Sequence, residues 1–256
     1  MAQFDTAVRR DSAYAQQIDA GLRAHMNSIY GLMGIAMLVT GVVAYIFGQD
    51  LLSAMTTGTT AIIPMGLLGT LYSSPMVYVI MFAPLAVVFI FAARLNRMST
   101  GAAQGVFWAF AALMGLSLAT IFVRFTGISI AQTFFVTAIA FLSLSLYGYT
   151  TKRNLSGMGT FLMMGVIGLI VASLLNMFLF ESSALQFAVS VLGLLIFAGL
   201  TAYDTQRLKS EYVQMAGMGA TGQQLSASAI GGALSLYLNF LNMFMFLLQF
   251  MGAARE

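Results

Sequence analysis

The chain has 256 residues, of which 60% are hydrophobic and only 7% charged, against the roughly 25% charged residues of a soluble domain, so water is not its main solvent. The formal net charge of +3 is eleven Lys and Arg against eight Asp and Glu, and the basic residues are scattered at the ends of apolar runs, which excludes a continuous basic surface for nucleic acid. With no cysteine and one histidine, the chain has no disulfide framework, no thiolate metal site and no cysteine nucleophile.

In chain order, Met1 to Met26 carries Asp5, Arg9, Arg10, Asp11, Asp19 and Arg23 and reads as a cytosolic N-terminal tail with a weak surface helix. No signal peptide precedes the first apolar run, so the first span is expected to act as its own insertion signal. Residues 27–256 then form a transmembrane domain, because crossing a hydrocarbon core of about 30 Å takes roughly 20 helical residues. Seven runs qualify: about Ser28 to Phe47, Met76 to Ala93, Gln104 to Val123, Ile128 to Tyr149, Met158 to Phe180, Ala184 to Tyr203, and Ala227 to Phe250. The fold class expected is therefore an all-α polytopic membrane protein with seven transmembrane helices. Between the first two spans, Gly48 to Pro75 is too short and too interrupted, by Pro64 among others, for a further crossing. It reads as an outward-facing loop that dips into the interface.

Basic residues cluster in alternate connections. Arg9, Arg10 and Arg23 precede span one, Arg94 and Arg97 follow span two, Lys152 and Arg153 follow span four, and Arg207 and Lys209 follow span six. Only Arg124 and Arg255 fall on the other side. The positive-inside bias then predicts a cytosolic N-terminus and an external C-terminus.

A polar side chain inside a span must face a protein partner or a water-filled cavity. On span seven, Ser228, Gly231, Gly232, Ser235, Asn239, Asn242 and Gln249 fall within roughly 100° of arc at a helical period. That seam is read either as tight packing, with Gly and Ser admitting a close neighbour and Asn bonding across, or as the wall of a hydrophilic path. On span six, Ser190, Gly193, Thr201 and Asp204 share a face. Asp204 is the one carboxylate at the inward end of an apolar span. It serves as an interfacial partner of Arg207, three residues on, or as a titratable latch whose partners are drawn from Arg94, Arg97 and Arg207. Ser235, Asn242, Ser228 and Thr201 are the candidate pathway-lining residues.

Three stretches together resemble the transmembrane Bax inhibitor motif family, also called the Bax inhibitor-1 family, and most closely its bacterial branch. They are Leu144 to Ser156 (LSLYGYTTKRNLS), Tyr203-Asp204-Thr205-Gln206, and Ala233 to Phe244 (ALSLYLNFLNMF). The resemblance covers about Ser28 to Gly252. It implies a fold with helix seven central to the bundle. It also implies a calcium leak that depends on pH, links to stress and cell-death responses, and modulation of a membrane-bound protease in bacteria. By the same resemblance the protein is expected in a bacterial inner membrane. The family's proposed pH sensor is a pair of aspartates near the cytosolic end; Asp204 matches the first, and the second falls at Asn239. Two close carboxylates share a proton and titrate as a pair, whereas an aspartate beside an amide has no like-charge partner. The expectation is that Asp204 accepts a hydrogen bond from Asn239 and pairs with Arg94 or Arg97. The family also often carries an acid within span two, where this chain has Pro84, which is expected to kink the helix.

An enzyme is not expected. His25 precedes span one, and Lys152 and Lys209 lie in connections, so neither a histidine-based nor a lysine-based centre can be built inside the bundle. The 19 methionines are spread over all spans, as apolar packing requires, and no resident metal or cofactor is expected. Two functions remain: a pH-sensitive cation leak channel with calcium as permeant ion and Asp204 and Asn239 as its gate, or a membrane interaction protein that modulates a membrane-bound protease or a stress response. The expected partners are membrane lipid, calcium ions and such a protease.

Overall fold

The computed structural model describes the backbone of residues 2–255 and the side chains of residues 16–95 and 97–255. Among the described residues nine α-helices follow one another: α1 (Ala2–Thr56), α2 (Met65–Tyr72), α3 (Met76–Arg94), α4 (Thr100–Leu118), α5 (Ile121–Arg124), α6 (Gly127–Thr150), α7 (Ser156–Leu175), α8 (Ser183–Gly217) and α9 (Gly222–Met251). Seven stretches are long and apolar enough to cross a membrane, carried by α1, α3, α4 with α5, α6, α7 with its terminal turn, α8 and α9.

Local chemistry sets the helix starts. Ser99, Thr126, Ser182 and Thr221 each turn a hydroxyl oxygen toward a backbone N–H of the first turn of α4, α6, α8 and α9, satisfying one of the donors that a helix start leaves free. Thr221 and Gln224 close a reciprocal capping box. At the end of α7 the last turn widens over Asn176–Phe180, and Glu181 takes a left-handed conformation (φ 47°) that stops it. Pro84 lies buried inside α3, which continues as a helix on both sides of it.

Two elements are longer than the apolar runs alone suggest. Helix α1 passes residue 26 without a break and ends at Thr56, and α8 runs on from Tyr203 to Gly217. At 35 residues α8 is about 52 Å long, well beyond the hydrocarbon thickness. The added segments hold each other: Leu22, His25 and Met26 of α1 are buried with Leu208 and Tyr212 of α8, and the His25 and Tyr212 rings lie 4.9 Å apart. The side chains of Arg9 and Arg10 lie outside the described residues.

Helix α9 is the most enclosed span, with 67% of its apolar window buried, against 11–39% for the other six. Its principal neighbours are α1, α4, α6 and α8, while α3 packs mainly on α4 and α7 mainly on α8. Tyr237 anchors the middle of this core. It is fully buried, its hydroxyl shares a 2.7 Å hydrogen bond with Thr40 of α1, and its ring meets Phe107 and Phe110 of α4 edge-on. Thr40 in turn donates to the Ala111 carbonyl at 2.8 Å, so one hydroxyl pair ties three helices.

The connections sort to two ends. At one end Gln206 bonds the Arg153 carbonyl, Lys209 the Tyr149 carbonyl and Gln223 the Met98 carbonyl, which gathers the basic connections around α8 and the start of α9. At the other end the last residues form a strap. Thr126 donates to the Ala253 carbonyl (3.2 Å), Arg255 to the Arg124 carbonyl (2.9 Å), and Ala253 to Ser129 Oγ (2.9 Å). The Gly48 to Pro75 segment also lies there. It is partly helical, and the Asp50 carboxylate, 2% exposed, accepts N–H bonds from Ala61, Ile62 and Ile63 that fold it back on α1.

Candidate functional site

Asp204 sits where α8 leaves the apolar core, facing α9 at the basic end of the bundle. Small residues bring the two helices close: a Cβ on Gly232 would stand 2.8 Å from Leu208, and one on Gly193 2.5 Å from Phe246. Asn239, two turns along α9 from Gly232, then reaches Asp204. Its Nδ2 donates to Asp204 Oδ2 at 2.7 Å, and both residues are buried. The other carboxylate oxygen, Oδ1, is 3.1 Å from Arg207 Nη2, one helical turn away.

Arg207 is the hinge of the arrangement. Its side chain is 39% exposed while that of Asp204 is 11% exposed, so the pair spans the boundary between the core and the basic end. The same Nη2 lies 3.4 Å from Ser235 Oγ of α9. Its Nε is 3.5 Å from Glu211 Oε1, inside ion-pair range but without a hydrogen bond, and its guanidinium stands 5.9 Å from the centre of the Tyr203 ring. A buried carboxylate needs such neutralisation, since an isolated one costs several kcal/mol, in order of magnitude, to take out of water.

Of the three candidate latch partners, Arg207 is therefore the one paired. Arg94 and Arg97 are exposed and make no ion pair with Asp204 among the described residues. The reason is positional. Arg94 ends α3, which packs mainly on α4, and Arg97 lies in the turn after it, whereas Arg207 is fixed to the same helix as Asp204.

The candidate lining residues do not form one file. Ser235 joins the Arg207 cluster, and Ser228 lies at the rim of a cleft at the basic end bordered by Met98 and Met215. Asn242 donates to its own helix at the Leu238 carbonyl (2.8 Å), and Thr201 is fully buried and donates to the Phe197 carbonyl (2.8 Å). Gln249 is met by Ser190 of α8 at 2.9 Å. Most of the seam on α9 thus serves the α8 contact.

A second polar chain lies beside Asp204. Tyr30 of α1 bonds Ser145 of α6, and Ser145 bonds Thr205 of α8 at 2.9 Å, so hydroxyls from three helices meet one residue from the acid. Hydroxyls are common in membrane helices, so composition did not single these out; the YDT sequence, which places Thr205 next to Asp204, was the available signal.

Residues 22–256 match the family described as Inhibitor of apoptosis-promoting Bax1. The chain belongs to the Bax inhibitor-1 family. Its relatives include an uncharacterized protein of Caulobacter vibrioides, 45% identical over 93% of this chain and 92% of that protein. The uncharacterized protein RP147 of Rickettsia prowazekii is 43% identical over 93% of each chain. Inner membrane protein YbhL of Escherichia coli is 40% identical over 98% of this chain and all of its own length. As a member of the Bax inhibitor-1 family spanning a membrane with seven apolar helices, the chain carries the Asp204, Arg207 and Asn239 cluster at the meeting point of spans six and seven.

Proposed function

We propose that the protein is a pH-sensitive cation leak channel, with calcium as the permeant ion, closed by the contact of Asp204 with Arg207 and Asn239. The observation that carries this reading is the buried carboxylate bonded across to the most enclosed span and balanced by a half-exposed arginine. Protonation of Asp204 removes the charge that holds Arg207. The guanidinium is then free to swing to Glu211, and the Asn239 amide, left bonding a neutral acid, holds α8 to α9 more weakly. Water entering there meets the seam, whose neutral hydroxyl and amide groups hold a cation weakly rather than in a tight cage, as conduction requires. In this reading the protein sits in a bacterial inner membrane with its basic end in the cytosol, which would put the latch on the cytosolic side.

Calcium flux in proteoliposomes across a pH series tests the reading. Asp204→Asn is expected to leak at a level independent of pH, because an amide neither pairs with Arg207 nor titrates. Asn239→Asp is expected to steepen the pH response, since two carboxylates at hydrogen-bond distance share a proton and titrate together. An unaltered flux and pH profile in both variants would overturn the assignment.

A second reading is favoured by the projecting ends of α1 and α8, which extend past the length a bilayer requires. Such a rod suits a membrane interaction protein that restrains another membrane protein, including a membrane-bound protease. Val213 and Gln214 are exposed on it. Loss of the cellular phenotype on replacing both with Glu, with flux by the purified protein retained, would select this reading over the channel.

A further inference from the structure

A second site lies on the outer side of α8. The α6–α7 connection and the projecting half of α8 enclose a cleft of about 510 Å³ bordered by Lys152, Arg153, Arg207 and Lys209, with Glu211 as the one acid among its lining residues. Glu211 is already within ion-pair range of Arg207. Lys152, Arg153 and Lys209 have no carboxylate at ion-pair distance among the described residues.

The protein's own hydrogen bonds hold the walls in place. Gln206 clamps the connection to α8, accepting from the Leu155 N–H and donating to the Arg153 carbonyl, each at 2.8 Å. Lys209 Nζ donates to the Tyr149 carbonyl at 3.0 Å and lies 5.1 Å from the centre of that ring. The connection that carries Lys152 and Arg153 is thus held at its backbone, and Lys209, fixed before binding, loses little freedom when an anion arrives. We propose that this cleft binds the phosphate of an anionic phospholipid headgroup.

Position favours a lipid over a free anion. The cleft lies where the apolar spans end, directly beyond the exposed Leu146, Tyr147, Met158 and Phe161 on the outer faces of α6 and α7. Acyl chains covering those side chains bring a headgroup phosphate to the level of Lys152 and Arg153. Anionic headgroups are drawn to basic residues at the membrane surface, and tyrosine at this level is a usual companion. The inference stands apart from the leak reading, with which it shares Arg207 and Glu211 but neither Asp204 nor Asn239.

The test reconstitutes the full chain in vesicles of equimolar phosphatidylglycerol and phosphatidylcholine, extracts it gently, and counts retained lipids by native mass spectrometry. Wild type is expected to retain phosphatidylglycerol preferentially, and Lys152→Gln with Arg153→Gln to lose about fivefold of that preference per cation removed. Arg94→Gln with Arg97→Gln removes the same charge from the same end and is expected to keep the preference. An equal loss in both double variants would mean general surface attraction and would overturn the site, as would no loss in the first. Inorganic phosphate stabilising the protein against heat as well as short-chain phosphatidylglycerol does would overturn the lipid as occupant. If the double variant melts lower in phosphatidylcholine alone, the single variants take its place, each expected to lose about fivefold.

Discussion

Asp204 is held by one partner from its own helix and one from its neighbour, and these differ in kind. Asn239 is buried and fixed by the path of α9, whereas Arg207 is partly in solvent and has Glu211 and Tyr203 as alternative contacts. Removing Arg207 strands a buried carboxylate, yet the exposure of the arginine keeps the loss below that of a fully buried pair. Arg207→Met is expected to cost about 1–2 kcal/mol, lowering the melting temperature in detergent by a few degrees. A melting curve unchanged at neutral pH would mean that the pair is not formed in solution. The importance of Asp204 and Asn239 was legible because each is a polar group in an apolar run, which physics tolerates only with a partner. The choice of Arg207 over Arg94 and Arg97 was not, since three arginines at one membrane face look alike until the packing of α3 on α4 separates them.

At the scale of helices, the site depends on how closely α6, α8 and α9 approach. Gly148 of α6 faces the α8 backbone, where an added Cβ would stand 2.2 Å from the Ala202 carbonyl oxygen. Main chain cannot yield as a flexible side chain does, so α6 must move. Gly148→Ala is expected to cost about 1–3 kcal/mol and to displace Ser145 from Thr205, as a lowered melting temperature would report. An equal or higher melting temperature would show that the contact is looser. Spans three to five were legible from hydropathy within a few residues. The extension of α8 was not, because its polar sequence resembles a loop, and that of α1 reads as a separate surface helix rather than as one continuous with the first span. They are helical because Leu22, Met26, Leu208 and Tyr212 bury one another, a pairing invisible to either segment alone.

For the whole molecule, segregation of the basic connections to one end is the property that orients it. The chain lacks cysteine, so single replacements report sidedness directly. Ser210→Cys at the basic end is expected to resist a membrane-impermeant maleimide added outside intact cells, and Ser183→Cys at the other end to react. The reverse pattern would invert the orientation and move the latch to the outer face. The strap at the far end carries one more consequence. There the residues just after α9 are stitched to the end of α5 and the start of α6 by two main-chain hydrogen bonds and one to the Ser129 hydroxyl, none of which titrates at ordinary pH. Near Asp204 α9 is fastened by side chains that can let go. Any tilt of the last helix would therefore swing about its C-terminal root, like a door hung on one side, with a displacement that grows past Asn239 and Ser235 toward Gly222.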